Sequence, residues 1–259
     1  VPLSPATSPS PRIEHAMAYD ALRGRVVPFG GTDGQGTYFD ETWEWDGTNW
    51  TQRAPTTRPS VRSQHMMAYD STRLRVVLFG GNSFGFQRDT WEYDGNNWVQ
   101  RAPATMPPAR ACGALVFDTA RSVSVLFGGT GSGAVKLDDT WEWNGTNWTQ
   151  RAPATRPPAR EFCAMAFDTI RQRTVLFGGN GPTGALNDTF RGLTAVQKGL
   201  VQRIDASEKS TKEGRWFLPI LVLSAMAVLG AALWLVVNRA SELERNVPGT
   251  GDAATQIKA

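Results

Sequence analysis

The stretch TWEWDGTNWTQRAP at residues 42–55 returns as TWEYDGNNWVQRAP at 90–103 and as TWEWNGTNWTQRAP at 140–153. Each copy holds two short runs rich in Trp, Thr and Tyr, separated by a tight turn such as Asp46-Gly47 or Asp94-Gly95, which is the composition of a β-hairpin. Outward from this hairpin the self-similarity continues. Gly30-Gly31 recurs at Gly80-Gly81, Gly128-Gly129 and Gly178-Gly179, in steps of 50, 48 and 50 residues, and Arg12, Arg62, Arg110 and Arg160 keep that phase. Trp50, Trp98 and Trp148 do likewise, as do Trp43, Trp91 and Trp141, with Phe190 standing where a fourth copy is due.

Four strand-length segments fit in each unit: HAMAYD (15–20), RVVPFGG (25–31), TWEWDG (42–47) and NWTQRAP (49–55). They are rich in the β-branched and aromatic residues that pack on a pleated surface. Asp20 to Arg23 and its copies read as tight turns, the carboxylate accepting backbone N–H groups and pairing with the Arg. Because this Asp and Arg recur in every unit, they are structural and not an acid–base pair. Nothing inside the repeats has the 3.6-residue period of a helix. The expectation is an all-β fold of four-stranded antiparallel units, the signature of propeller blades.

The double glycine closing the second strand, the Trp of the third strand and the second Trp about seven residues later resemble kelch repeats, in a Trp-rich form associated with bacterial surface proteins. The resemblance implies a partial kelch β-propeller, with three complete four-stranded blades at about 12–58, 62–108 and 110–158 and an incomplete fourth at 160–190. It also implies binding far more often than catalysis. LSPATSPSPR (3–12) matches RAPATRPPAR (151–160), so the first residues read as the connector that follows a preceding blade's last strand. A closed ring usually needs at least about four blades. The expectation is therefore a portion of a larger propeller, or self-association of several chains to complete one, since unpaired edges invite other chains.

After Phe190 the pattern stops. Residues 191–215 read as a polar juxtamembrane stalk, with Leu193, Val196, Leu200, Val201 and Ile204 in loose helical spacing. Residues 216–237 then run for 22 positions without a charge, enough to cross a ~30 Å hydrocarbon core at about 1.5 Å per residue. Trp216 and Trp234 lie near its ends, where interfacial aromatics are expected. A single transmembrane helix over 216–238 follows, with Ala227, Gly230 and Ala231 as a small-residue helix-packing face and a polar tail at 239–259. Two signals oppose each other on orientation. Four basic residues precede the segment and two follow it, which by the positive-inside rule places the repeats in the cytoplasm. A start at Val1 suggests a removed leader, and large domains translocate largely regardless of charge. The placement expected is the outer or periplasmic side.

The net charge of +3 does not mark a nucleic-acid binder, because residues 1–190 carry 18 basic against 18 acidic residues and the excess lies beside the apolar segment. Cys112 and Cys163 are too few for a disulfide framework or a four-cysteine zinc site; they either pair with each other or stay as buried thiols. His15, His65 and Cys163 share one column of the repeat, but equivalent positions on neighbouring blades stand a blade's width apart, so no metal and no cofactor is expected. Copper-radical oxidases with kelch propellers need several His and Tyr ligands, whereas this chain has two His and four Tyr. No catalytic residue is assigned. The sequons at Asn49, Asn144 and Asn147 belong to the repeat's hairpin and read as turn chemistry, leaving Asn187 outside it.

The segments between the double glycine and the third strand diverge: TDGQGTYFDE, NSFGFQRD, TGSGAVKLDD and NGPTGALND. Loops on a rigid frame are where recognition sits, with Tyr38, Phe39, Phe84 and Phe86 as the candidate partner-binding residues; drift in glycine-rich loops is the competing account. The functional expectation is a non-catalytic, membrane-anchored binding or scaffolding protein with protein partners in a larger membrane complex. A surface module for polysaccharide is the alternative, and a portion of a propeller enzyme with its active site elsewhere is a third.

Overall fold

The computed structural model describes residues 3–192. Most of the stalk, the apolar segment 216–238 with Ala227, Gly230 and Ala231, and the polar tail lie outside the described residues.

The first repeat forms β1 (Ala16–Asp20), β2 (Arg25–Phe29), β3 (Thr42–Trp45) and β4 (Trp50–Arg53), an antiparallel sheet in chain order. The second forms β5 (Met66–Asp70), β6 (Arg75–Phe79), β7 (Thr90–Tyr93) and β8 (Trp98–Arg101) in the same order. In the third repeat β9 (Arg110–Ala111) precedes β10 (Ala114–Asp118) and β11 (Val123–Phe127). Then come β12 (Thr130–Gly131), β13 (Val135–Lys136), β14 (Thr140–Trp143) and β15 (Trp148–Arg151). The four long strands make the sheet, and β13-β12-β9 make a small accessory layer that the sequence reading did not include. The fourth repeat contributes β16 (Ala164–Asp168), β17 (Arg173–Phe177), the short pair β18 (Asn180–Gly181) and β19 (Gly184–Ala185), and β20 (Thr189–Arg191). Its main sheet has three strands among the described residues. The fold is thus all-β, built of four-stranded antiparallel sheets, and compatible with a propeller-like arrangement. The one helical segment among the described residues is the short turn Ser132–Ala134, and no described helix is long and apolar enough to cross a membrane.

Local chemistry sets each hairpin. Asp70 Oδ1 accepts the N–H groups of Thr72 (3.0 Å) and Arg73 (2.9 Å), and the Arg73 guanidinium returns to Oδ2 at 2.6 Å. The same closure recurs at Asp20–Arg23, Asp118–Arg121 and Asp168–Arg171. In the second hairpin, Asp46, Asp94 or Asn144 caps the two N–H groups after the glycine. Asn49, Asn97 and Asn147 then accept an N–H from a connector 41 to 43 residues away. The hairpin asparagines therefore serve the turn and the connector.

Alternation along the strands gives each sheet two apolar faces, and each trailing face packs on the leading face of the next sheet. Ala18, Val27 and Phe29 meet Met67, Val76, Leu78, Tyr93 and Trp98. Met66, Val77 and Phe79 meet Leu126, Trp143 and Trp148. Ala114 and Phe127 meet Cys163 and Leu176. Burying a large aliphatic or aromatic side chain this way contributes roughly 1.5–3 kcal/mol each. The second Trp also carries a polar bond across each junction, with Nε1 of Trp98 donating to Thr42 Oγ1 at 2.9 Å and Nε1 of Trp148 to Thr90 Oγ1 at 2.8 Å.

The repeating arginine is the strut of each unit. Arg62 is fully buried, donates to Asp89 at 2.7 and 2.8 Å and to the carbonyl of Gly80 at 2.9 Å, while Trp91 Nε1 donates to the same carboxylate at 2.7 Å. Arg110–Asp139–Trp141 and Arg12–Glu41–Trp43 repeat it. In the fourth unit Arg160 pairs with Asp188, but the Phe190 side chain has no N–H to offer. The buried Arg62 guanidinium is tolerable because its donors are matched, the remaining two going to the carbonyl and hydroxyl of Ser60 at 3.1 Å each. At Asp89 and Asp139 burial works to raise the carboxyl pKa, and the arginine's hydrogen bonds and charge more than reverse it, holding both acids below the usual value.

The double glycine is required twice over. Gly30, Gly80 and Gly128 have φ of +63°, +67° and +63°, and a Cβ on each would lie 2.5, 2.5 and 2.6 Å from the carbonyl oxygen of Arg62, Arg110 and Arg160 in the next repeat. No side chain fits there without moving backbone.

Candidate partner-binding loop face

The four divergent segments do not hang free. Each folds back on itself and pairs with the residues just after the strut arginine, through Ile13↔Thr32↔Tyr38, Ser63↔Asn82↔Phe86, β9-β12-β13, and Glu161↔Asn180 with β18-β19. This accessory layer gives the loops a rigid base. It escaped the sequence reading because its strands are two residues long and glycine-rich.

The four candidate aromatics take three different roles. Tyr38 and Phe84, from the first and second loops, come together with ring centroids 6.0 Å apart at 58°. Phe84 is 92% exposed, so this pair presents an apolar face to solvent. Phe39 is turned the other way, with the Arg12 guanidinium 4.4 Å from its ring centroid and its carbonyl accepting the N–H of Arg62. It is part of the frame. Phe86 sits in the bridge to Asn82, half-buried. The loops of the third and fourth repeats are joined instead by polar bonds. Lys136 Nζ donates to the carbonyl of Gly181 at 2.7 Å and lies 3.5 Å from Glu161, which accepts from Thr130 Oγ1 and from Asn180 at 3.0 Å. Ile13, Val135 and Phe162 are exposed apolar residues in or beside this layer that sequence reasoning passed over. Val135 could have been found as one of two large aliphatic side chains, with Leu137, in the otherwise small and polar loop TGSGAVKLDD.

Beside this layer a cleft of about 400 Å³ is lined by Asp40, Glu41, Gln52, Arg53, Ala54 and Arg58, with Arg58 and Asp40 paired at 2.7 Å. Its charges already answer one another. Cys112 and Cys163 are free, buried thiols. Burial, with the charges of Glu161 and Glu14, pushes the Cys112 thiol up to about 12; burial pushes Cys163 up to about 11, so neither is a thiolate near neutral pH. His65 packs edge-on against Phe29 at 5.5 Å, and burial followed by the charge of Arg62 lowers its pKa to about 3. His15 is lowered in the same direction by burial and Arg12. Among the described residues no three His, Cys, Asp or Glu side chains converge as metal ligands.

The chain matches no model of a known protein family, and no curated protein matches it either.

Proposed function

We propose that this chain is a membrane-anchored, non-catalytic binding or scaffolding protein, built on kelch-type propeller repeats and serving as an accessory or structural subunit of a larger membrane assembly. The observation that carries the reading is the contrast between a copied frame and an uncopied loop face. Strut arginines, turns and double glycines repeat in geometry, while the loops on that frame differ and expose the Tyr38–Phe84 pair. Rigid aromatic anchors on loops are common centres of protein recognition. The apolar segment 216–237 supplies the anchor in this reading, with the repeats on the outer or periplasmic side.

The test places a photo-reactive phenylalanine at position 84 of the full chain in its native membrane, with position 52, on a sheet edge, as control. The expected result is a discrete protein adduct from position 84 that Tyr38→Ala diminishes and that position 52 does not give. Equal adducts from both positions, or none, would sink the proposal. A second reading, polysaccharide binding, draws on the same exposed aromatic pair, since ring faces also stack on sugars. It calls for glycan-array binding lost in Phe84→Ala, and no binding by the parent chain would remove it.

A further inference from the structure

In the first and third repeats one ion pair ties the loop face to the connector that follows it. Arg58 donates to Asp40 at 2.7 Å, and Arg156 lies 3.3 Å from Asp138. Asp40 and Asp138 each stand one residue before the strut acid, and Arg58 and Arg156 each follow a connector threonine, Thr57 or Thr155. The second repeat changes both members of the pair. Arg88 occupies the place of the aspartate and Met106 that of the arginine. Met106 packs against the apolar cluster that holds Leu126, Trp143 and Trp148. Arg88 is exposed, and no acidic side chain among the described residues pairs with it. Its neighbour Asp89 is already engaged by Arg62 and Trp91.

The other charges of the divergent loops are answered. Those four loops hold two cations, Arg88 and Lys136, and Lys136 lies 3.5 Å from Glu161. Asp33 accepts the N–H groups of Gln35 and Thr37 at 2.7 and 3.0 Å. Arg88 is thus the loop cation left without a counter-charge among the described residues. The backbone that carries it is tied down on both sides. Gln87 donates to Gly81 at 2.8 Å and accepts from Arg110 at 3.0 Å, while Asp89 accepts from Gly80 at 3.2 Å. Little backbone ordering therefore remains to be done on binding. Phe84, 92% exposed, precedes Arg88 by four residues in the same loop, at most about 14 Å of chain. One partner surface can span both.

An ion pair left in water contributes little. Once a partner covers the rings and excludes water, the planar guanidinium fork is matched by a carboxylate and opposed by a cation. The first and third repeats close this place with their own pair; the second opens it as a free cation beside the Tyr38–Phe84 rings. Given protein recognition by the loop face, on which this rests, we infer that the partner carries an Asp or Glu side chain beside the apolar group that meets those rings. Arg88 receives that carboxylate.

The test reads the protein adduct from a photo-reactive phenylalanine at position 84 of the full chain in its native membrane. Arg88→Asp combined with Met106→Arg rebuilds in the second repeat the pair of the first and third, and should cut the adduct by about tenfold. Arg88→Asp alone changes an exposed residue and should cut it similarly, which covers the case in which the change at 106 disturbs the junction. Arg88→Lys keeps the charge and should retain most of the adduct. Raising salt from about 0.1 M to about 1 M should lower the yield from the parent chain and leave the residue from the charge-reversed chains unchanged. A parent adduct that survives both charge reversals, or is indifferent to salt, overturns the inference and leaves protein recognition by the loop face standing. Equal losses with Arg88→Lys and Arg88→Asp overturn it as well, since charge would not be what the partner reads. No adduct from the parent chain removes the loop-face reading and this inference together.

Discussion

The second and fourth sheets share much of their sequence but not their surroundings. RVVLFGG at 75–81 and RTVLFGG at 173–179 place Phe79 and Phe177 at one register position, opposite Met66 and Ala164. Phe79 lies under Trp148 of the following sheet, centroids 5.1 Å apart, and is fully buried; Phe177 is half open. In repeat architectures stability is a sum of terms within units and terms between neighbours, and here the second kind separates two nearly identical strands. The polar groups show the same dependence. Thr42 and Thr90 receive a Trp N–H from the next sheet, whereas Thr140, buried at the junction where the fourth sheet lacks that Trp among the described residues, has an Oγ1 with no partner.

The comparison breaks most visibly under truncation of this phenylalanine. Phe79→Ala should cost about 3–5 kcal/mol, the range for deleting a buried aromatic. Phe177→Ala should cost under about 1 kcal/mol in the monomeric chain, since half the ring is already in water. Urea unfolding of the two variants checks this, and equal losses would mean that the fourth sheet's trailing face is covered after all.

Much of this frame was legible in the sequence, for a physical reason. Strand alternation, Asp-Gly turns and double glycines are local signals, and repetition multiplied each one. The strut was half legible: Arg62 kept the phase of the repeat, but its pairing with Asp89 spans 27 residues and only the folded sheet brings the two together. The backbone ladder in which Gln64 donates to Glu14, Cys112 to Gln64 and Phe162 to Cys112 was not legible, because these residue types carry no signal for the positive φ they adopt. At the candidate site, composition picked out all four aromatics but could not sort them. Phe39 faces Arg12 and Phe84 faces water through loop closures that glycine-rich segments leave undetermined by pattern.

A smaller difference should appear at the first glycine of each pair. Gly80 and Gly178 have nearly the same φ, +67° and +63°, so replacing either by Ala carries the same conformational strain of about 1–2 kcal/mol. Only Gly80 has a carbonyl oxygen, that of Arg110, 2.5 Å from the added carbon; at Gly178 the nearest atom is Leu186 O at 3.2 Å. Gly80→Ala should therefore exceed Gly178→Ala by about 2 kcal/mol in melting or denaturant experiments. If the two match, the second junction yields more readily than its geometry indicates.

The last contrast is in pH dependence and sets His65 against His15. His65 is buried at the junction of the first and second sheets, and its pKa is lowered from 6.5 to about 3, chiefly by burial and then by Arg62. The unfolded chain thus binds a proton that the folded chain refuses, so stability is full above about pH 6.5 and falls as pH drops toward 3. At pH 5 one such group costs about 2 kcal/mol relative to neutral pH. Cys163 and Gly113 occupy the same column, so His65→Cys keeps a small buried side chain there and removes the titration. It should flatten the stability profile between pH 6.5 and 4, leaving the acid limb that belongs to Asp89 and Asp139, whose lowered pKa values release their stabilisation only below about pH 3.8. His15→Cys, at the open leading face, should change the profile much less. If both variants flatten it equally, His15 is as buried in solution as His65 and the leading face is covered.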